Sequence, residues 1–279
     1  MFGHGCSAGA LVHLVESLSV YSELFSYREL FANLFRRDLQ KRYKGSALGV
    51  LWVLLPPVLL MAVYLLVFHV LWRPFSAVER YPLYLLSGLA TWVFFATTVQ
   101  IGSRAMLDNA ELIRKTRFPR QLVAFSVVGA NVVTYAVTLA ILLVAVFVFV
   151  PESRSTELLA VPLAAGFVCF VAGFTLMIAC LDVVFRDVEH LIGALLLPWF
   201  FVTPVFWDWS AFTRHETIVE IVRYGNPVSP PLSAIRDPLW AGTAPRAVDV
   251  VYLVCVSLLA LAIGAFTFRR LDDRIAVEL

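Results

Sequence analysis

Apolar residues gather in six runs along the chain, roughly 47–72, 82–103, 121–150, 158–181, 191–207 and 248–268, separated by short polar segments. About 20 apolar residues carry a helix across a bilayer. The pattern therefore predicts an all-α integral membrane protein with six transmembrane helices. The third run exceeds a single crossing, which predicts tilt or projection into water. Pro56-Pro57 in the first run and Pro198 with Pro204 in the fifth remove backbone donors and predict bends. Ahead of the first run the period changes. Leu24, Tyr27, Leu30, Phe31, Leu34, Phe35 and Leu39 share one half of a helical wheel, and Glu29, Asn33, Arg36, Arg37 and Gln40 the other. This is an N-terminal amphipathic helix suited to a membrane interface, either a plain anchor or also a docking surface. Asp38 interrupts its apolar arc, with Arg42 one turn on. Residues 208–246, between runs five and six, hold apolar patches broken by prolines and predict short re-entrant or outer gate helices. The organisation is thus a tail over 1–25, an interfacial helix over 26–45 and a six-span domain over 46–279.

Composition agrees with a membrane domain. The 279 residues are 60% hydrophobic and 15% charged, against roughly 25% charged in soluble domains. Most of the 22 Lys and Arg residues fall before the first run, between the second and third, or after the sixth; Lys41, Lys44 and Lys115 are among them. The positive-inside rule puts that side, and with it both termini, in the cytoplasm.

Little in the chain suggests chemistry. Gly5-Cys6-Ser7-Ala8-Gly9 has the spacing of a nucleophile elbow, but no strand precedes it and no helix follows in the pattern. Three of the four cysteines fall inside apolar runs, and none has metal-ligand spacing. No catalytic residue, metal site or nucleic-acid partner is expected. There is no phosphate-binding loop of the Walker type, so ATP-driven work would need a separate polypeptide. Acidic or His residues near the midplane, usual in ion-coupled transporters, are missing from the runs.

Six blocks, in order, resemble the permeases of polysaccharide-exporting ABC transporters, the family that exports O-antigen, capsule and teichoic acid. The first is Arg37-Asp38-Leu39-Gln40-Lys41-Arg42-Tyr43 with Ser46, Leu48, Gly49, Trp52 and Pro56-Pro57. Tyr81-Pro82-Leu83 with Ser87-Gly88-Leu89, Trp92 and Phe94-Phe95 follows, then Asn109 to Lys115 with Phe118-Pro119-Arg120. Phe185-Arg186-Asp187-Val188, Tyr224 with Asn226-Pro227, and Phe268-Arg269-Arg270 complete the set, so the likeness covers about 27–279. It implies a homodimer in a bacterial inner or plasma membrane, joined by two copies of an ATPase subunit that holds ATP and Mg. It also implies a lipid-linked glycan as cargo, most simply O-antigen on polyprenyl pyrophosphate. A drug or small-lipid ABC permease would share the six spans. A membrane-embedded lipid- or glycan-modifying enzyme would need convergent polar side chains that the runs lack.

The resemblance directs attention to three residue sets. Asn109, Glu111, Leu112, Arg114, Lys115 and Phe118 would form a short helix, N-capped by Asp108 or Asn109, that couples to the ATPase. Arg186 and Asp187 would make a second contact or merely cap a span. Aromatic rings pack on the C–H faces of sugars. Tyr64, Phe68 and Trp72 recur at four-residue steps, Trp92 and Phe95 lie on the second span, and Trp199/Phe206 and Phe200/Trp207 recur at seven-residue steps on the fifth. These rings either line a glycan channel or face lipid. Arg37, Arg42 and Lys44 stand where a lipid pyrophosphate would enter, although positive-inside bias explains them equally.

Overall fold

The computed structural model describes residues 27–43, 55–64, 66–67, 80–116, 118–209 and 216–279. Among these residues there are helices and turns but no strand. The helices are α1 (Arg28–Tyr43), α2 (Leu55–Tyr64), α3 (Tyr81–Ser103), α4 (Ala105–Asp108), α5 (Ala110–Lys115) and α6 (Gln121–Phe149). They continue with α7 (Ala160–Val184), α8 (Val188–Val202), α9 (Glu216–Gly225), α10 (Ser229–Trp240) and α11 (Ala247–Glu278).

Among the described residues, four helical stretches are long and apolar enough to cross a membrane: Tyr81–Ser103, Gln121–Phe149, Glu157–Val184 and Ala247–Ile275. They match the second, third, fourth and sixth apolar runs. Much of the first run, and the tail 1–25, lies outside the described residues. The fifth run departs from expectation. Its helix covers Val188–Val202, 15 residues, or about 22 Å at 1.5 Å per residue. It stops because Thr203 precedes Pro204, and the proline ring drives the preceding residue out of the helical region; Thr203 sits at φ −86°, ψ 136°. Pro198 is inside the helix, whereas Pro204 is beyond it. The sixth helix runs past residue 268 to Glu278, and its tail stays attached because Ile275 and Leu279 are buried. Two short helices, α9 and α10, follow the fifth run. Residues 228–236 of the α10 segment are buried, packed among α3, α7 and α11.

Lipid tails are as apolar as leucine, so helices in a bilayer associate through close contact and polar pins rather than by hydrophobic exclusion. The α7–α11 pair shows the close contact. A Cβ on Gly173 would strike the backbone of Ala260 and Leu261, and one on Gly264 would strike the carbonyl of Gly173. Ser257 adds a hydrogen bond from Oγ to the Gly166 carbonyl, at 2.9 Å. Helix α1 is also docked on the bundle. Leu34 is buried, Phe35 closes on the Cα of Gly129, and Ser126 donates to Asp38 at 2.7 Å. Asp38 breaks the apolar arc because it faces α6.

Candidate coupling ends and aromatic region

The basic end of the bundle is built from α4, α5 and the α7–α8 turn. Helix α5 begins after Asn109, but the Asn109 side chain does not cap it. Its amide donates back to the Ala105 carbonyl at 2.7 Å, because the turn of α4 already occupies the space ahead. Asn109 and Ile113 are buried and Leu112 is half-buried, while Glu111, Arg114 and Lys115 are exposed. Glu111 and Lys115 pair across one turn at 3.2 Å, a contact worth about 0.4 kcal/mol in such settings. The segment thus presents a charged outer face on an apolar foot. Phe118 joins Tyr27, Pro119, Arg120, Gln121, Phe268 and Asp272 around an open recess of about 360 Å³. Its wall is braced by Arg120, which donates to the Asp272 carboxylate at 2.6 Å and to its carbonyl at 2.8 Å.

Arg186 and Asp187 are both exposed in the turn. Asp187 occupies the N-cap position of α8 without a side-chain cap bond. The cap comes instead from Asp182, fully buried, whose carboxylate accepts the Glu189 N–H at 2.8 Å. Glu189 in turn meets Arg104 at 3.3 Å, and Arg104 also pairs with Asp108 at 3.6 Å. The α3–α6 loop and the α7–α8 turn are therefore joined through one arginine. Neither Asp182 nor Arg104 belongs to the residue sets that the resemblance singled out.

At the opposite end the aromatic residues converge. Tyr64 lies 5.7 Å from Phe200 and 5.6 Å from Phe206. Trp92 lies 5.5 Å from both Phe95 and Phe200, and Phe95 meets Trp199 edge-on at 5.1 Å. The expected rings of the first, second and fifth runs do meet, but not as a helical stripe. Phe206 and Trp207 are not on α8 at all: they lie in the non-helical strap 203–207. Trp92, Phe95, Phe200, Phe206 and Trp207 are buried within the single chain, and only Tyr64 and Trp199 are half-buried. Phe68, Trp72, Lys44 and the Arg42 side chain lie outside the described residues. Arg37 is paired with Asp38 at 3.0 Å.

The strap is irregular backbone, which a membrane protein tolerates only where protein groups satisfy it. Arg236 donates to the Val205 carbonyl at 3.2 Å, Tyr81 to Phe206 at 2.8 Å and Tyr84 to Trp207 at 2.7 Å. Arg236 is 3% exposed; its guanidinium stacks 3.8 Å from the Tyr84 ring centre and fills the notch left by Gly88. A second cation, the half-buried Arg223, pairs with the buried Asp249 at 2.6 Å. Asp237, on α10, is pushed up to about 6, chiefly by desolvation, with Arg236 pulling the other way. Asn226 is 6% exposed and makes three contacts. Its oxygen accepts the Trp199 indole N–H at 2.8 Å and the Val228 N–H at 3.0 Å, and its amide donates to Thr203 Oγ1 at 2.9 Å. The sequence singled out Asn226-Pro227 but not what it holds.

Comparison with known proteins places this architecture. Residues 29–240 match the family described as ABC-2 type transporter. The chain is 32% identical over 250 residues to the O-antigen export system permease protein RfbA of Myxococcus xanthus, covering 89% of this chain and 95% of that one. Two proteins of the same name from Klebsiella pneumoniae are 27% and 26% identical over 250 residues, each covering 89% of this chain and 94% of its own.

Proposed function

Since the chain belongs to the ABC-2 type transporter family, we propose that it is the membrane subunit of an ATP-driven exporter of O-antigen polysaccharide. The observation that carries this reading is the 32% identity to an O-antigen export permease along 95% of that protein's length. The chain is then a transporter subunit, and ATP with Mg belongs to a separate ATPase. In this reading the first and fifth runs complete six spans, two copies face each other across the pore, and two ATPase subunits sit on the basic, cytoplasmic side of the bacterial inner membrane. The exposed face Glu111, Arg114 and Lys115, with Arg186 and Asp187 beside it, meets the ATPase. Arg37, Arg42 and Lys44 receive the pyrophosphate of the lipid carrier. Tyr64 and Trp199, half-buried, are the rings a glycan would touch first, while Trp92, Phe95, Phe200, Phe206 and Trp207 stiffen the wall behind them. Helices α9 and α10 serve as the outer gate.

The test is a strain lacking the gene. Lipid-linked O-antigen is expected to accumulate on the inner face and to vanish from the surface, with recovery on complementation. Normal surface glycan in that strain would overturn the assignment.

A further inference from the structure

Helix α8 is held unevenly. Of its 15 residues, only Ile192 and Phe200 are buried, while Leu191, Leu195, Leu197, Phe201 and Val202 are exposed within the chain. Among the described residues its polar attachments to other elements lie at its two ends. At the start, the Glu189 N–H is held by Asp182 at 2.8 Å and its carboxylate by Arg104 at 3.3 Å, next to the coupling segment. Near the finish, the Trp199 indole N–H is held by Asn226 at 2.8 Å, and Thr203 Oγ1 receives the Asn226 amide at 2.9 Å. A rod pinned at both ends and loosely packed between them carries displacement along its axis, because its own hydrogen bonds are stiffer than its side contacts.

Asn226 suits that joint. Its carbonyl oxygen uses two acceptor sites, for Trp199 and for Val228 at the start of α10, while its amide donates to the strap. Aspartate keeps both acceptors but lacks the amide donor, and glutamine adds a methylene at a site that is 6% exposed. On the reading that this is an ATP-driven exporter, the geometry points to Asn226 as the positioning residue through which α8 moves the α9–α10 turn when the ATPase acts on the opposite end. Trp199 is the other half of the joint. Its ring is steadied edge-on by Phe95 at 5.1 Å and by Phe174 at 6.1 Å.

The test uses the full permease–ATPase complex and the host's own lipid-linked glycan. Asn226→Ala and Trp199→Phe are each expected to keep ATP hydrolysis within about twofold of wild type and to lower surface glycan by about tenfold, the scale of one lost buried hydrogen bond. The double variant falls no further than the worse single one, because both substitutions cut the same contact. Asn226→Asp keeps the acceptor bonds to Trp199 and Val228 but loses the donor to Thr203 Oγ1, so its export is expected between that of Asn226→Ala and wild type. Spin labels at Ile221→Cys and Leu158→Cys, with the native cysteines replaced by Ala, read the motion directly. Their separation changes on nucleotide trapping in the otherwise wild-type complex and stays fixed when Trp199→Phe is added. Trp199→Phe keeps an aromatic side chain but removes the indole N–H, and the label response separates loss of the joint from loss of a glycan contact, so the pair decides the matter even where Asn226→Ala fails to fold. Wild-type export by Trp199→Phe, or an unchanged label response, overturns the joint while leaving the export reading intact. A wild-type complex that hydrolyses ATP without moving glycan overturns the export reading itself.

Discussion

Replacing Gly88 by alanine strikes the centre of the strap anchorage. The new methyl would overlap the Arg236 guanidinium and lie 2.8 Å from the Val205 carbonyl oxygen. The arginine has nowhere to retreat: it is 3% exposed, stacked at 3.8 Å on Tyr84 and bonded to Val205 at 3.2 Å. Displacing it forfeits a desolvated cation–π contact of about 2 kcal/mol and a charged hydrogen bond of about 2 kcal/mol. Alanine recovers about 1 kcal/mol of helix propensity over glycine. The expected net loss is about 3 kcal/mol, or about 6–12 °C in Tm at the slope of large domains. Tryptophan fluorescence of the detergent-purified protein on heating measures it. Gly225→Ala is the control, since no atom lies within 4 Å of its added methyl. In an Arg236→Ala background the Gly88→Ala change should have a smaller effect, because the guanidinium is gone and only the Val205 carbonyl remains close. A Tm for Gly88→Ala within about 2 °C of wild type, below the least drop that slope allows, would refute the picture of a filled notch.

Three further outcomes follow from other parts of the molecule. Gly173→Ala must push α7 off the backbone of Ala260 and Leu261; overpacking of this kind costs about 1–3 kcal/mol, and a fall in Tm with loss of complex on size-exclusion chromatography checks it. Changing Glu111, Arg114 and Lys115 together to alanine touches only exposed side chains, so stability should change by less than about 0.5 kcal/mol while ATPase pull-down and export drop; unchanged export would exclude this face as the contact. For Asp237 the folded carboxyl holds its proton up to about 6, above the ordinary 3.8, so the folded state binds protons more tightly than the unfolded. Stability is then fully present below the ordinary value and falls as pH rises through about 6; Tm should be higher at pH 4 than at pH 7, and Asp237→Asn should flatten that slope.

The four spanning helices α3, α6, α7 and α11 were legible because their signal is local: an unbroken apolar run with charge or proline at its edge. The fifth run misled for a long-range reason. Phe206 and Trp207 continue its hydropathy, but the backbone there is a strap whose carbonyls are satisfied by Tyr81, Tyr84 and Arg236, partners more than 30 positions away. Thr203-Pro204 was the one local sign that the helix stops. Helix α11 continues past Arg269 and Arg270, where the apolar run stops, because Ile275 and Leu279 carry it on into an apolar cluster. The cap at Asn109 failed because the preceding turn of α4 offers the Ala105 carbonyl first. Aromatic residue types were readable as a set, but not their facing. Burial of Phe95 and Trp92 depends on which helices surround them.

The distribution of polar contacts bears on how such a bundle moves. In a bilayer, tight backbone approach and buried hydrogen bonds are what resist sliding. The α7–α11 pair has both, through Gly173, Gly264 and Ser257, and α3 is wedged against α7 where Gly102 meets Thr175. These helices form a block that strain cannot easily shear. Helix α8 has neither along its middle, and its exposed leucines contribute only to whatever lies outside the chain. On the export reading, motion driven from the basic end would pass through α8, a compliant element among the described residues. It arrives at a strap and a turn whose every listening group, Thr203, Asn226 and Val228, is bonded to the next. The same polar contacts that make irregular backbone tolerable in a membrane thus decide which part of it can be pulled.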